Sequence, residues 1–129
     1  MTSFQVFVPG QIWTINRERN LHHMQRHEMV SELRKTARIL TLQEMRREGG
    51  RWSFTGPVTV EFLPYQKPGV IADTANHLPP CKAVLDGLVD AGLIQDDTPE
   101  FVISQTFYPP VKSPFTGINV LVKDVTTSS

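Results

Sequence analysis

Residues 79–97, PPCKAVLDGLVDAGLIQDD, decide how this chain folds. The pair Pro79-Pro80 suits the first turn of a helix, where a missing amide donor costs nothing. A helix is therefore expected from about Cys81 to Ala91. Gly92 falls where a left-handed C-terminal cap belongs, with Leu93 placed to pack back. Working outward, Gly56-Pro57 opens a strand over 58–63, whose Val58, Val60 and Phe62 alternate with Thr59, Glu61 and Leu63. A loop with Pro64, Pro68 and Gly69 follows that strand. Downstream, 101–108 and 117–123 read as strands separated by Pro109-Pro110 and a further turn-rich loop. Near the N-terminus, 4–8 is a short strand stopped by Pro9-Gly10. Residues 25–47 lack Gly and Pro, and Val30, Leu33, Ala37 and Leu40 recur at helical spacing up to Gly49-Gly50. The order is β-α-β-α-β-β. It predicts an α+β domain over 1–125, with one mixed sheet, one long and one short helix, and a frayed tail over 126–129.

Composition agrees with one domain. The chain has 129 residues, 40% hydrophobic and 20% charged, which fits a soluble globular protein. A lone cysteine, Cys81, rules out an internal disulfide and points to a reducing, cytoplasmic compartment. No apolar run approaches the roughly 20 residues of a membrane helix, and no signal peptide is apparent. The zero net charge hides an asymmetry. Residues 1–51 hold nine Lys/Arg against five Glu, whereas 52–129 hold four Lys against eight acids, including all six aspartates. The contrast admits two readings: solvated helix faces and turn aspartates, or a polyanion-binding arm paired with an acidic site.

The acids cluster in sequence around the short helix. Asp73 and Asn76 precede it, Lys82 and Asp86 share a face at i,i+4, and Asp96-Asp97 follow its cap. A helix of ~12 residues rises about 18 Å. The five steps from Gly92 to Asp97 can return about 17 Å. Asp97 can thus come back beside Asp73 and Lys82. Carboxylates that converge without matching cations favour a divalent ion with oxygen ligands, and magnesium takes one or two of them besides water and phosphate. A lysine alongside can stabilise charge developing on phosphorus. Asp73, Asp97 and Lys82 therefore suit metal-assisted phosphodiester hydrolysis. On spacing alone the competing reading is plainer: Asp96-Asp97 close a turn and Asp86 pairs with Lys82.

The run from Lys82 to Gly92, closing on Asp96-Asp97, resembles the RusA-type Holliday junction resolvases, particularly phage and prophage branches. The opening strand ending in Val8-Pro9-Gly10, the polar Asn16 loop and the basic helix are also similar, so the likeness spans about 4–123. The resemblance implies an α+β homodimer that cuts four-way DNA junctions with magnesium or manganese. It implies Asp73, Lys82 and Asp97 as catalytic positions. Asp73, Asp97, Asp96 and Asn76 are the implied metal donors, with Asp86 in support. Two departures stand out. The family's acid-x-acid-Asn pattern becomes Asp73-Thr74-Ala75-Asn76, and Asn76 precedes Lys82 by six residues, where three is usual. Either the Asn76 amide, Asp96 or water replaces the second acid, or the chain holds branched DNA without cutting it.

Arg34, Lys35 and Arg38 on the long helix, with Arg17 and Arg19 before it, are candidate contacts to DNA phosphates. Ion pairing with the interleaved Glu28, Glu32, Glu44 and Glu48 is the rival role. His22, His23 and His27 lack the companions of a zinc site beyond His77 and Cys81, and fit better as loop or helix-start residues near phosphate. Trp13, Trp52 and Phe54 could stack on exposed bases, although core or dimer packing suits them better. The absence of a Gly-rich phosphate loop argues against a nucleotide-hydrolysing motor.

Overall fold

A computed structural model describes residues 3–13, 19, 21–49, 53–67 and 78–125. Among these residues the chain forms β1 (Ser3–Pro9), α1 (His23–Arg47), β2 (Val58–Gln66), α2 (Leu78–Asp90), β3 (Val102–Phe107), β4 (Val111–Lys112) and β5 (Gly117–Asp124). The strands make a single mixed sheet in the order β1-β5-β2-β3, with β4 also on β2. Pairing is antiparallel for β1 with β5 and β5 with β2, and parallel for β2 with β3 and β4. The parallel pair β2/β3 needs a crossover, and α2 supplies it. The fold is the expected α+β arrangement.

Register explains the core. Val6 lies opposite Val120, and Val60 opposite Val122, so alternate residues of three strands share one face. Phe4, Val8, Val58, Phe62 and Ile118 complete that face, and all are buried. They form one cluster with Leu33 and Ala37 of α1 and with Val84, Leu85 and Leu88 of α2. Each such side chain contributes roughly 1.5–3 kcal/mol relative to exposure. Trp13 and Phe54 belong to the same cluster, so their packing role prevails over base stacking. No described helix is long and apolar enough to cross a membrane.

Besides the start of α2 at Leu78, three residues before the expected Cys81, two features differ from the sequence expectation. β2 runs through Pro64 to Gln66 instead of stopping at Leu63. The carbonyls of Phe62 and Gln66 accept from Tyr108 and Ser113, on the β3/β4 side of the strand. Pro64, midway between them, turns its missing amide to that same side, between the end of β3 and the start of β4, where no ladder partner is forfeited. The two-residue β4 is the second difference. The expected tail, 126–129, lies outside the described residues.

The helices meet at a close approach. A Cβ built on Gly87 would lie 2.6 Å from both the Ala37 Cβ and the Arg34 carbonyl oxygen. Only glycine fits there. α1 starts at His22, whose Nδ1 accepts the Met24 amide at 3.2 Å while its own amide donates to Gln25 Oε1 at 3.4 Å. Of the histidine run, His22 is the residue that caps the helix start, while His23 and His27 lie within α1.

Candidate functional site

The end of α2 shows how the site is assembled. Gly92 adopts φ +85°, the Leu93 amide donates to the Leu88 carbonyl at 3.2 Å, and the Gly92 amide donates to Val89 at 2.9 Å. This is the paired bonding of a Schellman cap. Leu93 and Ile94 then anchor in the core, and the Phe54 amide donates to the Leu93 carbonyl. Thus fixed, the chain runs back along α2 and delivers Asp97 to Lys82. The ammonium of Lys82 donates to Asp97 Oδ2 and, at 3.0 Å, to Asp86 Oδ1. Residues fifteen apart in sequence become one cluster, as the returning-loop arithmetic allows.

The electrostatics follow from this contact. Asp97 raises the titration of the Lys82 ammonium above its ordinary value, against partial desolvation and with help from Asp86. In turn Lys82 holds the Asp97 carboxyl below the usual aspartate range. The Lys82 side chain lies between Asp97, about two-thirds buried, and Asp86, about three-quarters buried. Such a lysine is an electrostatic group and a poor proton acceptor. Asp96 turns its Oδ1 onto the Asp97 amide at 2.8 Å, closing the turn as the plainer reading has it. Asp73 and Asn76, the other implied metal donors, lie outside the described residues with Ala75 and His77.

Magnesium accepts one or two protein carboxylates and completes its shell with water and phosphate. Asp97 is a hard, ionised, partly exposed oxygen donor of that kind, and fits one such position. Among the described residues no three His, Cys, Asp or Glu side chains converge as a closed metal cage. Beside Lys82 an open cleft of about 500 Å³ is lined by Leu78, Pro79, Gln105 and Phe107. Sequence reasoning did not single out Gln105 and Phe107. Their alternation on 101–108 places both on one face, but only the folded chain, in which that face shares the cleft with Lys82, shows that they reach it.

The basic arm divides. Arg34 donates to Asp90 of α2 through Nε at 2.6 Å and Nη2 at 2.9 Å, a bidentate tie between helices. That hydrogen bonding raises the guanidinium and lowers the Asp90 carboxyl, to which Arg38 also contributes. Arg34 is thus half-committed to the fold, with a partner on α2 and not one of the interleaved glutamates. Among the described ion pairs, Arg47 with Glu44 is the one within α1. Lys35, Arg38 and Arg19 are exposed, while Arg17 and Trp52 lie outside the described residues. Cys81 is buried and its thiol is pushed up to about 12, which makes it a packing group and a poor nucleophile. No protein-family model matches this chain, and no curated protein matches it in sequence.

Proposed function

We propose that this protein is a metal-dependent, structure-selective endonuclease acting on branched DNA, with the Lys82–Asp97 pair at its centre. The observation that carries this reading is the ammonium held between Asp97 and Asp86 at the mouth of a cleft. The similarity of residues 82–97 to RusA-type resolvases supports it. Asp97, with Asp73, is the proposed holder of magnesium or manganese. Such an ion supplies Lewis acidity that activates water and polarises the scissile phosphate. Lys82 stays protonated and meets the charge that develops on the phosphoryl oxygens. Asp86 positions Lys82 from one helical turn away. Exposed Lys35, Arg38 and Arg19 bind backbone phosphates without reading sequence. A homodimer would present two such sites to a nearly symmetric junction, and the lone Cys81 suits a reducing cytoplasm.

Asp97→Asn tests the assignment. Cleavage of a four-way junction is expected to vanish, while gel-shift affinity holds or improves because a negative charge near phosphate is removed. Undiminished cutting would overturn it. Ala75, standing where the family carries a second acid, favours one other reading: a branched-DNA-binding or adaptor protein without nuclease activity. Junction binding with no product at any magnesium or manganese concentration selects that alternative.

A further inference from the structure

We infer that the cleft between the start of α2 and the edge strand β3 is a nucleobase pocket in which one unstacked base lies on the ring of Phe107. The inference rests on the nuclease reading above and adds a binding residue to it. Phe107, on the edge strand β3, is 42% exposed. Its inner face stacks on the fully buried Phe62, with centroids 5.2 Å apart and planes 11° from parallel. The ring is therefore held in one orientation. Leu78 and Pro79 add apolar lining, and Gln105, two residues away on β3, supplies an amide with donors and an acceptor. Lys82 is the charged side chain among these lining residues.

A flat aromatic surface, an amide and an ammonium match the three chemistries of a nucleotide: a π-face, a hydrogen-bonding edge and a phosphate. About 500 Å³ is ample for one nucleotide, within the ~300–1,000 Å³ usual for ligand sites. A nucleotide with its phosphate at Lys82 would place its base toward Phe107. Bases that are already unpaired suit the pocket best, because they reach it at the smallest unstacking cost.

The test uses the full chain and two variants, Phe107→Leu and Phe107→Trp, with short oligo-dT and a four-way junction as probes. Phe107→Leu keeps apolar packing but loses the π-face, and should weaken oligo-dT binding ~10-fold or more, as base–aromatic contacts do. Phe107→Trp should restore affinity, with emission quenched when oligo-dT binds. If wild type cuts junctions while Phe107→Leu binds and cuts equally well and Phe107→Trp emission does not move, the pocket is refuted and the nuclease reading stands. If wild type binds neither probe, both fall together.

Discussion

The two ends of α2 carry similar residue types put to different uses. At its C-terminal end, Asp90 is gripped by Arg34 through two hydrogen bonds, Arg38 adds a second cation nearby, and Gly87 lets the helices touch. Cations there match or exceed acids, and the contacts join secondary-structure elements. At the N-terminal end a single Lys82 faces Asp86 and Asp97, with Asp96 beside them, and the cluster opens on a cleft. Surplus carboxylate beside open space is what the proposed metal-binding role calls for. Changes at the N-terminal end should therefore act on cleavage, and changes to Gly87 or to the Arg34–Asp90 tie on stability.

The largest effect belongs to the acidic end. Besides Asp97→Asn, Lys82→Met should cut junction cleavage by ~10²–10³, the scale for removing one preorganised stabilising group. Thermal unfolding should barely move, because partly exposed ion pairs contribute about 0–1 kcal/mol. Next comes Gly87→Ala, which drives a methyl into the Ala37 Cβ and the Arg34 carbonyl. Overpacking of this kind costs ~1–3 kcal/mol, read as a lowered urea midpoint. Arg34→Ala is expected to cost about 0.5–1 kcal/mol, since its side chain is 47% exposed and solvent screens the pair. Its junction affinity should keep the wild-type salt dependence, whereas Arg38→Ala or Lys35→Ala should lower the salt slope by about one for each phosphate left without its cation. An equal slope change for Arg34→Ala would erase the distinction between the ends.

The smallest effect is in pH. Asp97 and Asp90 both titrate below the ordinary aspartate value of 3.8. Their contribution is complete well above that value and is lost as pH falls through the lower native values. Lys82 titrates above 10.5, so its share is present below that value and is lost as pH rises through the higher native one. Acid unfolding curves of Asp97→Asn and Asp90→Asn should each be flatter below about pH 4 than wild type. Identical curves would show that neither pair stabilises the fold.

Much of this was legible in the residues. Alternation in Val58–Phe62 and the Pro-Pro and Gly92 punctuation of α2 mark elements whose local chemistry and tertiary role agree. Lys82 with Asp86 is fixed by helix geometry alone. Asp97 was within reach because a five-residue return is short enough to bound by arithmetic. What stayed hidden depends on register. Pro64 reads as a strand stop unless the gap between β3 and β4 is known, and two residues cannot show the periodicity that would reveal β4. Arg34 looks like its neighbours until Asp90, fifty-six residues on, comes to meet it. Phe107 carries no signal of its own in the sequence, and its exposure follows from its strand lying at the sheet edge.

The most direct test is a cleavage assay on a four-way junction and on linear duplex of the same sequence, with magnesium, manganese or chelator. Paired nicks near the branch point are predicted, dependent on the metal, with the linear duplex left whole. Intact junction under every metal condition, with protein demonstrably bound, would contradict the nuclease assignment.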